Sequence, residues 1–397
     1  MNATTILNKI LPFVSPNMHK TRRNAMAACI QSLAQGNLST VTNIGRGIQS
    51  TAFEKHCIKR ADRVLSNVHL QQESLSIYAH MCHLFASKGR PIISVDWSDL
   101  DARKQHFLIR AVVAFQGRPF TLYEEVHGIK TKEKPKTHKY FLSTLKSLLP
   151  KETKPIIVTD AGFKMPWMEL VKSLDWDYVG RVRRPRKFFD EESQSWHCIS
   201  HLFTKASQTP KPLSLKIGEK KPYWCHLALY KEKPKGRHSL NQDGSTKASK
   251  TSLTAARGAK EPWLLISSLP KNSSFAKKSV KIYQTRMQIE ESFRDMKSTK
   301  FGLGFEHNHT KKLARMTVLV LLTTLAAMVL ILLGKVVELS GLAYRFQSSS
   351  TRKRRVLSHF FLGKRALSTN IKITLKQWRE GVRKFSNQLF KGDGFMA

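Results

Sequence analysis

With 397 residues the chain is long enough for two or three domains and more than one core. Its 68 Lys plus Arg against 28 Asp plus Glu give a net charge of +40, an excess that repels itself in the compact state and calls for a polyanion partner. DNA or RNA is the first candidate and an anionic membrane surface the second. Cys29, Cys57, Cys82, Cys198 and Cys225 are scattered, with no CxxC and no zinc-ligand spacing, which sets aside a disulfide scaffold and suits reduced thiols in a cytoplasmic protein. The N-terminal MNATTILNKILPF lacks a basic region followed by a long apolar stretch, so no signal peptide is expected.

Residues 1–88 read as helical. Within them LSTVTNIGRGIQSTAFEKHCIKRADRVLSN predicts a helix, a break at Gly45–Gly47 and a second helix carrying Lys55, His56, Lys59, Arg60 and Arg63, a helix-turn-helix pattern with a basic second helix. From residue 89 the texture changes to strands. PIISVDWS is a short apolar run expected to end at Asp96, and HFLIRAVVAF and GRPFTLYEEV, separated by Gln116–Gly117, predict an antiparallel hairpin. A helix over 137–149, a strand PIIVTDAGF ending at Asp160, a helix over 165–174 and a strand DYVGRVR follow, an order that implies an α/β domain with a mixed sheet.

Between about 184 and 260 short strand-like pieces (WHCISHLF, PLSLKIG, PYWCHLALY) alternate with polar clusters, and the basic stretch at about 231–260 reads as a flexible loop. EPWLLISSL is expected to return as a strand. The run from Met316 to Gly334 is apolar for a membrane span's length, but it is single, so a buried core helix is the preferred reading. The tail beyond about 345 is basic and helical.

The stretch Tyr283–Lys297, YQTRMQIEESFRDMK, predicts one amphipathic helix. At about 100° per residue, Tyr283, Arg286, Glu290 and Lys297 fall within an arc of about 60° bordering the apolar face, and Glu291 points elsewhere. Such a polar row is costly at the edge of a core unless something uses it. Asp96 and Asp160, each expected at the C-terminal end of an apolar strand, sit where ligand-binding groups gather in α/β sheets. Paired carboxylates repel unless a cation lies between them. With Glu290 they make three oxygen donors suited to Mg²⁺ or Mn²⁺ in a two-metal site for phosphodiester attack. Asp99 and Asp101 are expected as turn residues. A non-catalytic helix-turn-helix DNA-binding protein, or a plain metal-dependent nuclease on the same fold, are the competing readings.

Tyr283-x2-Arg286-x3-Glu290-x6-Lys297, with SVDWSD around Asp96 and VTDAGF around Asp160, resembles the Y-R-E-K signature of the DDE cut-and-paste transposases of bacterial insertion sequences. KEPW…RMQIEESFRD is similar to the branch of that family carried by the tetracycline-resistance composite transposon. The resemblance implies an α/β, ribonuclease H-like catalytic core with a β-rich insertion, flanked by helical N- and C-terminal domains. The divisions would be 1–88 for recognition of transposon ends, 89–340 for catalysis with the insertion at about 184–260, and 341–397 for dimerisation or DNA contact. Asp96, Asp160 and Glu290 would be catalytic and hold the metals. Tyr283, Arg286 and Lys297 would contact phosphates, and Trp263 would stack a flipped base. Lys59, Arg60 and Arg63 would contact DNA in the N-terminal domain. The partners implied are inverted-repeat ends, target DNA and a second copy in a synaptic complex, in a cytoplasmic, nucleoid-associated setting without a membrane.

Overall fold

The computed structural model describes residues 11–87, 89–233, 245–246, 248–250, 252–253, 258, 260–351 and 354–391. Most of the basic loop expected at about 231–260 lies outside them, as does the start of the N-terminal segment. The chain divides into two compact units, one of Met1–Pro155 with Met287–Ala397 and one of Ile156–Arg286.

The first unit opens with helices α1 (Lys20–Ala34), α2 (Val41–Arg46), α3 (Glu54–Leu65) and α4 (Val68–Ala86). Thr40 caps α2 by accepting from the Asn43 N–H, and Asn67 caps α4 by accepting from that of Leu70. Gly45 sits where α2 meets α3: a Cβ there would lie 2.4 Å from the Ile58 Cα, so only glycine permits this helix pair. Strands β1 (Ile92–Asp99), β2 (His106–Val113) and β3 (Phe120–Gly128) form an antiparallel meander. The β2–β3 turn holds Gln116 at φ 24° and Gly117 at φ 92°, as the Gln–Gly punctuation predicts. Helix α5 (Pro135–Leu148) follows, with Pro135 in its first turn, where a missing N–H is harmless.

The second unit begins with β4 (Ile156–Thr159), α6 (Met165–Ser173) and β5 (Asp177–Val182), with β4 and β5 parallel as a β–α–β crossover requires. Then come β6 (Lys187–Asp190), β7 (Ser195–Cys198), β8 (Lys211–Ile217), β9 (Tyr223–Tyr230) and β10 (Trp263–Ser267). Antiparallel pairing runs from β5 through β10, β9, β8 and β6 to β7. The stretch WHCISHLF is strand only at its start; from Ile199 to Lys205 it is a 3₁₀ turn. Helix α7 (Phe275–Gln284) closes the unit.

The chain re-enters the first unit through α8 (Met287–Lys297), then α9 (Leu313–Leu339), α10 (His359–Ser368) and α11 (Leu375–Lys391). Apolar on all sides, α9 lies inside the unit, and 83% of its most apolar window is buried. It packs against α1, α3, α4, α10, α11 and β3, the buried core helix expected for the 316–334 run. Where α9 meets α10 the backbones nearly touch: a Cβ on Gly334 would lie 1.8 Å from the His359 carbonyl oxygen, and one on Gly363 2.0 Å from that of Leu330.

Two expectations are corrected. The single helix over Tyr283–Lys297 is two helices, α7 and α8, separated at Thr285–Arg286. The Thr285 and Arg286 N–H groups bond back three residues, to the Ile282 and Tyr283 carbonyls, and the Thr285 hydroxyl competes for the Ile282 carbonyl. The uniform 100° step therefore does not carry from Tyr283 to Glu290. Strand β1, in turn, does not stop at Asp96. Its pairing with β2 continues to Asp99 opposite Phe107, which places Asp96 within the strand and Asp99 at its end rather than in a turn.

Candidate active site

In the first unit the candidate groups lie on β1 and α8. Asp96 is 8% exposed, and the Trp97 N–H donates to its Oδ1 at 2.8 Å. Glu290 is exposed in the first turn of α8, and Lys297, half-buried, closes the last turn. Seven residues apart, the two share one helix face, and Glu290 acts electrostatically on Lys297. The Lys297 ammonium donates to the Ser98 Oγ at 2.7 Å, tying α8 to the strand that carries Asp96. Burial pulls the Lys297 pKa below the usual lysine range, and the nearby Asp99 carboxylate opposes that pull.

In the second unit Asp160 directly follows β4, and its Oδ1 accepts from the Gly162 N–H at 2.8 Å. Tyr283, in the last turn of α7, is 4% exposed. Burial pushes its phenol up; Arg286, Arg181 and Arg183 pull it down, and Asp160 pushes it further up, so these charges surround one hydroxyl-bearing ring. The Arg286 guanidinium lies 5.9 Å from the Tyr283 ring centroid. Trp263, half-buried at the start of β10, meets Tyr283 edge-on at 5.1 Å and Tyr230 at 5.6 Å. An aromatic wall and three arginines thus adjoin the Asp160 strand end. Next to Asp160 in the chain, Ala161 lines a cavity of about 150 Å³ that also takes in Lys164, Arg181, Arg183, Arg184 and Arg186, a lining suited to an anion.

Sequence reasoning missed Arg181 and Glu261. Glu261 faces Arg181 at 3.7 Å, Arg183 at 3.3 Å and Arg184 at 3.3 Å. One carboxylate therefore aligns a basic row. The signal was present in RVRRPR, a cationic run that begins in the last residues of a strand. Ser98 was missed as well, because a serine after Trp97 has no marker until helix α8 is placed over it.

Of the N-terminal candidates, Lys59 and Arg63 are exposed on α3, while Arg60 donates to the Asn24 carbonyl at 3.1 Å. Arg60 and Arg63 line a cleft of about 670 Å³ with His19 and Arg22 of the α1 side.

Three carboxylates are the right donors for a hard divalent cation. Among the described residues, however, no group of three or more His, Cys, Asp or Glu side chains is gathered so as to hold one. Asp96 and Glu290 belong to the first unit and Asp160 to the second.

Residues 87–329 match the family described as Transposase DDE domain, a span that includes Asp96, Asp160, Trp263, Tyr283, Arg286, Glu290 and Lys297 and leaves out Lys59, Arg60 and Arg63. No curated protein matches the chain. The mixed α/β architecture is consistent with a ribonuclease H-like domain of this kind, and enzymes of the class act on DNA and generally use divalent metals. The chain belongs to the Transposase DDE domain family: it is a transposase.

Proposed function

We propose that this transposase works by cut-and-paste through a hairpin, with Asp96, Asp160 and Glu290 as its catalytic carboxylates. The observation that carries the reading is the gathering of acid and cation in each unit: Asp160, Arg286 and Arg181 all act on the Tyr283 phenol, and Glu290 acts on Lys297, whose ammonium is bonded to Ser98 on the Asp96 strand. The three carboxylates would hold Mg²⁺, or Mn²⁺ in its place, as a two-metal site. The metals would supply an activated oxygen nucleophile and charge relief on the leaving oxygen.

Water attacks the phosphodiester at the transposon end and frees a 3′-hydroxyl. That hydroxyl attacks the opposite strand, closing a hairpin and releasing the flanking DNA. A second water opens the hairpin, and the 3′-hydroxyl is then joined to a target strand. Tyr283, Arg286 and Lys297 grip the cleaved-end phosphate without adding negative charge, and Trp263 offers a face to the base displaced at the hairpin. Lys59 and Arg63 present cations to DNA from α3. The division at 1–88, 89–340 and 341–397 belongs to this proposal, as do the homodimeric synaptic complex and the cytoplasmic, nucleoid-associated setting.

Purified protein, labelled end DNA and Mg²⁺ test it, with nicks, hairpins and joined products resolved on denaturing gels. Nicks followed in time by hairpins and strand-transfer products support the reading. Nicks alone indicate a plain nuclease, and binding without cleavage a non-catalytic DNA-binding protein.

A further inference from the structure

The first unit buries an ion pair that the chemistry above does not use. Arg110 on β2 is 3% exposed, and its Nε donates to the Glu124 Oε2 on β3 at 2.7 Å. Glu124 Oε1 accepts from the Tyr78 hydroxyl at 2.9 Å and the Thr324 hydroxyl at 2.6 Å, so α4 and α9 share the same carboxylate. The rest of the guanidinium reaches α8 and α9: Nη1 donates to the Ser292 Oγ at 3.3 Å, Nη2 lies 3.2 Å from the Met296 sulfur and 3.4 Å from the Thr324 Oγ1, and the group stands 5.3 Å from the Phe293 ring centroid. Arg110 is also the register partner of Asp96, so both side chains leave the sheet on one face.

Two neighbouring bonds extend this seat. The Gln288 Oε1 accepts from the Phe115 N–H at 2.9 Å, and the Arg118 Nε donates to the Asp295 Oδ2 at 2.6 Å. On a helix Gln288, Ser292 and Asp295 lie within an arc of about 60°, while Glu290 and Lys297 lie about 180° from its middle. A rotation by one residue, about 100°, would carry Lys297 away from Ser98 and turn Glu290 with it. Burial of Ile289, Phe293 and Met296 opposes a whole-residue slip, but these non-directional contacts leave smaller rotations of the helix cheap. Directional bonds from β2 and the β2–β3 turn oppose those smaller rotations as well, which is the best-attested use of a buried polar network.

The geometry points to Arg110, held by Glu124, as a positioning residue that sets the rotational register of α8 and so the placement of Glu290 and Lys297 over the Asp96 strand. This rests on the roles proposed above for those three residues.

A role in stability alone makes a different forecast, because an apolar pair of similar volume often replaces a buried ion pair without loss of stability. The test compares wild type, Arg110→Met/Glu124→Leu and Arg110→Lys as full-length proteins. It measures the unfolding midpoint, hydrogen exchange of the α8 amides, end-DNA affinity and the Mg²⁺ concentration that half-saturates nicking. Positioning requires faster α8 exchange with unchanged β1–β3 exchange in the double variant, and a rise of about tenfold in half-saturating Mg²⁺ at an unchanged midpoint and end affinity. Should the apolar pair not fold, Arg110→Lys, which keeps a cation opposite Glu124 but loses the fork that reaches Ser292, carries the same readouts. Wild-type α8 exchange in the folded variant overturns the positioning role, as does wild-type Mg²⁺ saturation. Faster α8 exchange in a protein whose wild type never nicks supports the positioning role and defeats the metal-dependent reading instead.

Discussion

The Lys297 ammonium hydrogen-bonds the Ser98 Oγ at 2.7 Å, so the last turn of α8 is fastened to β1 two residues beyond Asp96. Sequence spacing alone pairs Lys297 with Glu290; the fold adds the strand. The candidate phosphate grip on α8 is thereby held against the strand that carries a candidate metal carboxylate.

The lowered Lys297 pKa gives this contact a pH signature. Burial disfavours the ammonium, so the cation is lost at a pH below that at which an exposed lysine loses it. Hairpin formation and resolution are expected to fall on the alkaline side before end binding does, and Lys297→Arg, whose guanidinium keeps its proton, is expected to move that limb to higher pH. Lys297→Ala should slow the hairpin steps more than the first nick. Step-resolved cleavage from pH 7 to 10 decides; equal loss at every step means that Lys297 serves general DNA binding.

Tyr283 is expected to act through its hydroxyl. Burial keeps the phenol protonated, hence a donor, across the assay range. Tyr283→Phe keeps the edge-on contact with Trp263 and should leave the stability within about 1 kcal/mol of wild type while slowing hairpin processing. Tyr283→Ala empties a site that is 4% exposed and should cost about 3–5 kcal/mol. Thermal melts paired with hairpin assays separate the two effects, and normal hairpin kinetics in Tyr283→Phe would remove the hydroxyl from the mechanism.

Glu338 gathers two cations and an imidazole at the end of α9: Lys335 at 2.7 Å, Arg355 at 2.6 Å and His359 at 2.8 Å. Burial alone would raise its pKa, but the bonds from His359 and Lys335 prevail and hold it well below the usual carboxylate range. A depressed folded-state carboxylate contributes stability above its unfolded pKa, about 4.3, and loses that contribution as pH falls through the folded value. Burial also lowers the His359 pKa, so acidification through about 6.5 favours the unfolded chain as well. Glu338→Gln should cost about 2 kcal/mol at pH 7, with a difference from wild type that shrinks below pH 4. Denaturant unfolding at the two pH values measures it; a difference that does not change with pH contradicts the assignment.

Gly334 and Gly363 should not tolerate alanine, because the added Cβ would meet backbone oxygen rather than a movable side chain. Each substitution should lower stability by about 1–3 kcal/mol through forced separation of α9 and α10. Chemical unfolding of the two single variants tests this, and a wild-type midpoint in either would show that the helices part freely.

Much of the frame was legible from particular residues. Gln116–Gly117 marked the hairpin, Asp160 marked the end of β4, and the uncharged run at 316–334 marked a core helix, because each depends on local backbone chemistry or on plain burial. The break at Thr285–Arg286 was not legible. The apolar period continues through it, and only the i→i−3 bonds show that the helix tightens and restarts there. The extension of β1 past Asp96 was hidden for a related reason: Trp97–Asp99 gain strand geometry from pairing with β2, which their own composition does not announce. The Arg181–Glu261 alignment joins residues 80 positions apart, a proximity that only the β5–β10 pairing creates.

The central claim is that Asp96, Asp160 and Glu290 perform metal-dependent cleavage, and three single substitutions test it most directly. Asp96→Ala, Asp160→Ala and Glu290→Ala are each expected to bind labelled end DNA with wild-type affinity and to yield no nicks in Mg²⁺. Normal Mg²⁺-dependent cleavage by any of the three would contradict the account.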